Sequence, residues 1–132
     1  MDLDALQSWL DRYVEAWRTY DTETISDLFT PDADYYTHPF REPWHGREAI
    51  VAGWDQDPDA PLSWEARYEA LATEGDVGVA RGWTRYSDGK EYANVFVIRL
   101  DEDGRASEFT EFFIKRDLEK STAVSPVVPY TG

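Results

Sequence analysis

A chain of 132 residues, 42% of them apolar, has the length of one domain and enough apolar surface for a proper core. Its formal charge of −14 disfavours nucleic acid and anionic membranes as partners, because both bind basic surfaces. Without cysteine, disulfides and thiolate metal sites are excluded. The sequence begins without a basic and apolar leader, and no apolar run approaches the roughly 20 residues that span a bilayer, so we expect a cytoplasmic protein.

The first predicted element is an amphipathic helix over Leu3–Trp17, where apolar residues recur three or four positions apart. Asp2 or Asp4 is expected to cap its N-terminus, since a carboxylate there accepts from free backbone N–H groups. A short second helix follows, with Asp21 or Thr22 as its N-cap. These two helices predict a helical start to the domain.

Proline and glycine mark the next boundaries. Pro31 is expected to end the second helix, because proline lacks the N–H that an interior helical position needs. Asp34–His38 is rich in Tyr and Thr and fits a strand. After a loop, Arg47–Trp54 is predicted as a third helix. The acidic, proline-rich stretch 55–61 then forms a second loop.

Strands dominate the second half of the chain. Apolar and polar residues alternate over 62–70, which predicts a strand, although the same residues also form helices well. Short polar turns separate further strands, so consecutive strands should be antiparallel. Those strands are predicted over 77–86, 90–100 and 105–116. Residues 121–132 contain two prolines and small side chains and are expected to form an extended tail behind a single domain over 1–120.

Helices followed by hairpin-linked strands predict an α+β fold, with three N-terminal helices packed on one face of a curved antiparallel sheet. Such a sheet encloses a cone-shaped pocket that opens at one end, and concave apolar pockets are the usual sites of small ligands. Six Trp, eight Tyr and six Phe supply the rings that could line it. Each ring could equally be an ordinary core residue.

Seven segments resemble one known family. The chain looks like the nuclear transport factor 2-like superfamily, in the branch of ketosteroid isomerases and SnoaL-like polyketide cyclases. The resemblance runs from Leu3 to Asp117. It implies a cone-shaped fold, no cofactor, and a homodimer through the exposed sheet face, with Trp64 and Tyr68 or their neighbours on the outer side. The segments are Arg12–Trp17, Asp21–Phe29, Pro31–Ala33, His38–Pro39, Gly46–Ile50, Asp103–Arg105 and Glu108–Phe113.

The resemblance also implies candidate catalytic residues. Tyr13 falls where ketosteroid isomerases keep a tyrosine that donates a hydrogen bond to the developing oxyanion. His38, directly before a proline, falls where they keep the aspartate general base. Their second oxyanion donor falls near Phe96, with Asn94 on the same face, so this sequence departs from the family there. An imidazole titrates near neutral pH and can act as a base. An unrelated role for His38 is to cap the strand end or to form a hydrogen bond with the following loop.

Glu111 is the third candidate catalytic residue. If Phe109 and Phe113 face the pocket, the period of two along a strand brings Glu111 to the same face. A carboxylate among aromatic rings has a raised pKa or needs a partner, and either state is typical of a functional site. With the opposite parity, Glu108 faces inward and Glu111 lies in solvent. Arg81 is a further candidate partner, with a surface position as the alternative.

The other candidate site residues are aromatic or amide side chains that could contact a ligand. His38 and His45 are separated by six residues, and the chain has no third His and no Cys, which matches no standard metal spacing, so no metal site is predicted. The predicted ligand-binding residues are Trp17, Trp54, Trp83, Asn94, Phe96, Phe109 and Phe113.

Two functions are compatible with these residues. The first is a cofactor-independent isomerase, cyclase or dehydratase that uses acid–base chemistry on an apolar cyclic or carbonyl compound. The second is a non-catalytic module of the same fold that binds a small apolar or aromatic molecule or assembles as a dimer. They differ in whether the candidate catalytic side chains converge on one open pocket.

Overall fold

The computed structural model describes residues 1–116, so the predicted tail at 121–132 and the predicted domain end at 120 lie outside the described residues. Helices occupy the beginning of the chain, and long strands occupy the second half. The elements in chain order are α1 (Leu3–Thr19), α2 (Thr22–Asp27), β1 (Phe29–Tyr36), β2 (Trp44–His45), α3 (Arg47–Asp55), β3 (Trp64–Glu74), β4 (Val77–Tyr86), β5 (Glu91–Leu100) and β6 (Ala106–Lys115).

The described strands form one sheet in the order β2-β1-β6-β5-β4-β3. Consecutive strands from β3 to β6 pair antiparallel through short turns, as predicted. Strands β1 and β6 pair parallel. They are far apart in the sequence, so the chain between them is long enough for the crossover that a parallel pair needs. The α+β fold with N-terminal helices on a curved sheet is therefore confirmed.

Helix α1 begins and ends at well-defined residues. The carboxylate of Asp2 accepts a hydrogen bond of 2.8 Å from the backbone N–H of Ala5, which fixes the start of the helix. At the other end Tyr20 takes a left-handed conformation, with φ of 50°, and ends the helix. Leu6, Trp9 and their apolar neighbours on the same side are buried against the sheet.

The predicted end of α2 at Pro31 is wrong. Helix α2 ends at Asp27, and Pro31 lies inside β1. The pairing of β1 with β6 shifts its register between Phe29 and Asp34, so the strand tolerates a residue without an N–H at this point. The short apolar run before the proline fits either a helix or a strand, which is why its period did not decide between them.

Of the two alternatives for the outer face, Trp64 and Tyr68 or their neighbours, the first is wrong, since the neighbours Glu65 and Arg67 are the exposed residues there. Tyr68 is 7% exposed and belongs to the core, while the indole of Trp64 stacks on Trp17 of α1 at a ring distance of 3.6 Å. Gly82 lies opposite Tyr68 in the register, and a Cβ there would collide with the tyrosine ring. The missing side chain lets Tyr68 fold across β4 on its inner face.

Candidate functional site

The concave face of the sheet holds a pocket of about 250 Å³, here named the carboxyl pocket. Strands β3 to β6 form one wall, and α1 closes the opposite side. Both polar and aromatic side chains reach into it, in a volume that suits a small organic molecule. The lining residues are Tyr13, Trp17, Tyr68, Thr84, Tyr86, Tyr92, Asn94, Glu111 and Phe113.

Glu111 provides the carboxyl group of this pocket. It lies opposite Phe96 in the register of β5 and β6, on the face that it shares with Phe109 and Phe113. Burial raises the pKa of Glu111 to about 7, and the hydrogen bond from Asn94, which favours the charged form, opposes this rise only in part. A carboxyl group with this pKa exchanges its proton readily at neutral pH.

A one-way chain of hydrogen bonds holds the Glu111 carboxylate. Asn94 Nδ2 donates to Glu111 Oε2 over 2.8 Å, and Thr84 Oγ1 donates to Asn94 Oδ1 over 2.9 Å. Since Thr84 gives its only hydroxyl hydrogen to Asn94, the bond of 2.6 Å between Thr84 and Tyr68 has the tyrosine as donor. The chain fixes one carboxylate oxygen and leaves Oε1 as the second oxygen of the group in the pocket.

Tyr13 faces the same pocket from α1. Its ring stacks on Phe109 at 5.5 Å, and its hydroxyl lies 3.3 Å from the hydroxyl of Tyr35. Burial raises the pKa of Tyr13 well above its usual range, and the nearby Tyr35 and Glu111 add to the effect. The hydroxyl therefore stays protonated. Because the pair with Tyr35 consumes one of two hydroxyl hydrogens, the other hydrogen remains for a further acceptor.

A second pocket of about 180 Å³ lies on the other side of Tyr13, and we name it the aromatic pocket. Its walls come from α1, β1, β2, α3 and the segment that follows α3. Tyr13 and Trp17 line both pockets, so they form the partition between them. The lining residues are Tyr13, Trp17, Tyr20, Tyr35, Thr37, Trp44, Gly53, Trp54 and Asp57.

Asp59, in the loop before β3, holds the aromatic side chains at the end of α1. Its Oδ2 accepts from Trp17 Nε1 over 2.9 Å and from the Tyr20 hydroxyl over 3.5 Å, and its own backbone N–H donates to Tyr20 over 2.8 Å. The indole of Trp17 also stacks on the indole of Trp64. Trp17 is thus fixed by a hydrogen bond and by a stacked ring.

His38 lies apart from Tyr13 and Glu111 and lines neither described pocket. Its Nδ1 accepts a hydrogen bond of 3.1 Å from the backbone N–H of Phe40, which lies in the loop after β1, so this contact is the alternative role of binding the following loop. The imidazole ring is 6.0 Å from Phe113, which does line the carboxyl pocket. The structure therefore brings Tyr13 and Glu111 to one pocket and leaves His38 beyond the Phe113 ring.

Three predicted ligand-binding residues lie elsewhere. Trp83 is on the opposite face of β4 from Thr84, with the Arg85 guanidinium 4.4 Å above its ring, because adjacent strand residues point to opposite faces. Phe96 and Phe109 are fully buried in the core and are absent from the lining of both described pockets. These placements differ from the sequence prediction. Trp17, Asn94 and Phe113 line the carboxyl pocket, and Trp54 lines the aromatic pocket.

The sequence prediction missed several polar side chains of the two pockets. Five of them, Tyr35, Tyr68, Thr84, Tyr86 and Tyr92, carry a hydroxyl on a strand. The alternation of β4 could have indicated Thr84, whose neighbours on that face are Gly82 and Ala80. The others depend on register and loop paths that have no local signal. The missed residues are Tyr35, Tyr68, Thr84, Tyr86, Tyr92, Tyr20, Thr37, Trp44 and Asp57.

Within residues 1–116, no group of three or more His, Cys, Asp or Glu side chains is arranged to hold a metal ion. His45 instead contacts Asp34 across β1 and β2, at 2.6 Å between Nδ1 and Oδ1, in an exposed position. Arg81 contacts Glu69 at 3.4 Å. In the described part of the chain, each helix is too short or too polar to cross a membrane.

The protein is a small α+β domain whose concave sheet holds a pocket. The SnoaL-like domain model matches residues 10–109, and the chain therefore belongs to the SnoaL-like family. An NTF-2-like protein of unknown function from Burkholderia xenovorans LB400 has a similar structure, with a TM-score of 0.68 at 19% identity, over 95% of this chain and 97% of that one. No curated protein matches the chain.

Proposed function

We propose that the carboxyl pocket binds a small apolar cyclic or carbonyl compound and transfers a proton on it without a cofactor, as an isomerase, cyclase or dehydratase does. The observation that carries this proposal is the position of Glu111. Its carboxyl group lies in a ligand-sized pocket, its pKa is raised to about 7, and one of its oxygens is held by Asn94. A carboxyl with matched pKa in a pocket is typical of a general acid–base catalyst.

The proposed step uses Glu111 and Tyr13 together. The Glu111 carboxylate removes a proton from the carbon next to a carbonyl group, and the electrons of that C–H bond move to the carbonyl oxygen, giving an enolate. With Tyr35 as the donor of the bond between the two tyrosines, the Tyr13 hydroxyl donates its own hydrogen to this oxygen and stabilises its charge. Protonated Glu111 then returns the proton to a carbon of the same compound. Proton and electrons balance within the substrate, so no oxidant or reductant is needed.

The carboxyl pocket supports Glu111 in this role. The donors in the chain Tyr68, Thr84 and Asn94 all point towards the carboxylate, so this chain stabilises the charged form against the effect of burial. The rings of Tyr86, Tyr92 and Phe113 contact one another in series at the pocket, with centroid distances of 5.8 Å and 5.9 Å. These rings offer flat apolar surfaces to a cyclic substrate.

His38 has a different role in this proposal from the one that the resemblance implies. When the imidazole is neutral and Nδ1 accepts from Phe40, the hydrogen is on Nε2. His38 is then a hydrogen-bond donor beside Phe113. We propose that it contacts a polar end of the substrate, while Glu111 acts as the base.

Proton exchange in D2O tests the proposal before the natural substrate is identified. Ligands are first chosen from hydroxylated aromatics, steroids and terpenoids by the rise in melting temperature that they cause. Those with a ketone are then incubated with the protein in D2O, and the loss of the α-proton signal is followed by NMR. We expect exchange by the wild type and a rate at least about 100-fold lower in Glu111→Gln, because a general base contributes on the order of 10²–10⁴.

Glu108→Gln is the matched control for this experiment. Glu108 is on the same strand as Glu111 and faces the opposite side of the sheet, since the two positions differ by an odd number. The Glu108→Gln substitution also replaces a glutamate by its amide, and the exchange rate of this variant should equal that of the wild type. Equal rates for wild type and Glu111→Gln with a ligand that binds would exclude Glu111 as the base.

A non-catalytic dimeric ligand-binding module is the second candidate function. It is supported by exposed apolar side chains on the outer face of the sheet, where Val95 lies opposite Phe112 and Ile114 is 75% exposed. Such a patch is typical of a protein interface. Under this proposal a ligand raises the melting temperature, and its α-protons do not exchange.

A further inference from the structure

The proposed proton transfer takes place in the carboxyl pocket and gives no role to the aromatic pocket, which has an unusual composition. Six of its nine lining residues carry aromatic rings, and Asp57 is the charged one among the described residues that line it. The rings come from four separate elements and from the residue after α1. Aromatic side chains with a carboxylate, and without a cation beside them, form the kind of site that binds organic cations.

The rings of the aromatic pocket lie in several planes. Trp54 is nearly perpendicular to Tyr13, at 82° and 5.4 Å, and to Tyr20, at 71° and 6.3 Å. Tyr35 stacks on Trp44 at 5.1 Å and forms another wall. Rings in perpendicular contact present both edges and faces, and a cation is attracted to an aromatic face within about 6 Å of the ring centre.

Two carboxylates place negative charge close to these rings. Asp57 lines the aromatic pocket itself. Asp59 accepts hydrogen bonds from Trp17 and Tyr20, so the polar hydrogens of both rings are directed to an anion. Donation to a carboxylate increases the electron density of a ring, which strengthens its attraction for a cation. With a formal charge of −14 in the whole chain, an anionic occupant is disfavoured.

Gly53 shows that the aromatic pocket is a built feature of the fold. It lies inside α3, where glycine costs about 1 kcal/mol relative to alanine. A Cβ at this position would lie 2.6 Å from the Trp44 indole, so the missing side chain lets that ring pack directly against the helix. Helix α3 is therefore less stable at Gly53 than it would be with alanine, at the position where the Trp44 indole packs against it.

We propose that the aromatic pocket binds a small organic cation with a quaternary or methylated ammonium group, whose charge is held by the faces of the rings and by Asp57. A bare ammonium ion is a weaker ligand, because it loses more hydration when it enters. A neutral molecule of the same shape gains contact with the rings but no electrostatic attraction. This binding goes beyond the proposed proton transfer and does not depend on Glu111.

Choline and its neutral isostere, a dimethylbutanol with carbon in place of the nitrogen, test the proposal on the full chain. Each compound is titrated by calorimetry, and the indole N–H signals are followed by NMR. We expect choline to bind at least roughly tenfold more tightly than the isostere. The signals of Trp17, Trp44 and Trp54 should shift, whereas Trp83, on the outer face, should not. Equal affinities, no binding of either compound, or a shift confined to Trp83 would overturn the proposal.

Asp57→Asn separates charge from shape. Asp57 is exposed, so the substitution should leave the fold intact, and we expect choline affinity to fall several-fold while affinity for the isostere stays the same. Asp55→Asn removes the same charge two residues earlier, at an exposed position outside the lining of the pocket. It should change choline affinity less than Asp57→Asn does. If choline affinity fell equally in the two variants, the loss would reflect net charge alone, and this result would contradict a specific site at Asp57.

Discussion

The carboxyl pocket and the aromatic pocket share Tyr13 and Trp17 but differ in how they are built. The sheet register places the polar groups of the carboxyl pocket, so Glu111, Asn94 and Thr84 are held in a directed chain. Packed rings from helices and strands form the aromatic pocket, and among its described lining residues Asp57 carries the carboxylate. If both proposals hold, one small domain separates proton transfer from cation binding by a partition of two aromatic side chains, Tyr13 and Trp17.

Tyr13→Phe tests this separation with the largest expected effect. The variant keeps the ring that stacks on Phe109 and removes the hydroxyl. We expect the rate of α-proton exchange to fall about 100-fold, because an oxyanion donor contributes on the order of 10²–10³. Choline affinity should change little, since the ring face remains.

Tyr36→Phe is the control for this variant. Tyr36 follows Tyr35 on β1 and faces the other side of the strand. The Tyr36→Phe variant should exchange α-protons and bind choline as the wild type does. If Tyr13→Phe weakened choline binding as strongly as it slowed exchange, the two pockets would act as one site.

Glu111→Gln should change the pH dependence of stability. The pKa of Glu111 in the folded protein, about 7, is above its ordinary value of 4.5, so folding favours the neutral carboxyl. The resulting stabilisation is fully present below about pH 4.5 and is lost as the pH rises through 7. Relative to Glu111→Gln, we expect the wild type to lose about 2 kcal/mol across this window, since each pKa unit corresponds to about 1.4 kcal/mol and water in the pocket screens part of it.

Urea unfolding of both proteins at a series of pH values measures this loss. The other titrating groups are common to both chains, so the difference between the two curves isolates Glu111. Parallel curves between pH 4.5 and 7 would show that its pKa is ordinary and that the carboxyl is hydrated like a surface group.

Thr84→Val has the smallest expected effect and tests the chain of hydrogen bonds. Valine has the shape of threonine but leaves Tyr68 and Asn94 without their shared partner. We expect the free energy of unfolding to fall by about 1 kcal/mol. The pKa of Glu111, followed by the carbon chemical shift of its carboxyl, should rise, because the Asn94 amide is no longer held in one orientation.

Thr110→Val provides the comparison for this variant. Thr110 is on β6 beside Glu111 and faces the outer side of the sheet. The same change of side chain there should leave the pKa of Glu111 unchanged. Choline binding should be unaffected in both variants, because neither residue lines the aromatic pocket.

Local patterns predicted much of the fold. The amphipathic period of α1, its cap at Asp2 or Asp4 and the alternating strands β4 to β6 are properties of short segments. The structure has Asp2 as the cap, and these elements end within about two residues of the predicted positions. Pro31 was assigned to a helix end because a short apolar run fits two periods. Only the pairing of β1 with β6 decides between them.

The candidate site was harder to predict, because it depends on contacts between distant segments. The sequence alone could name Tyr13 and Glu111, with the parity of β6 left open. It could not place Trp83 on the outer face, since the side of a strand that faces the core is set by the whole sheet. Nor could it find Tyr68, whose inward position depends on Gly82 across the strand pair.

By itself the sequence determined the order of helices and strands, the acidic charge and the supply of aromatic rings, because these follow from composition and local period. The tertiary structure decided which of those rings and carboxylates meet. Sheet register directed Asn94 at Glu111, and burial raised the pKa of that carboxyl. The packing of α1 against the sheet made Tyr13 the wall between two pockets, which no spacing along the chain specifies.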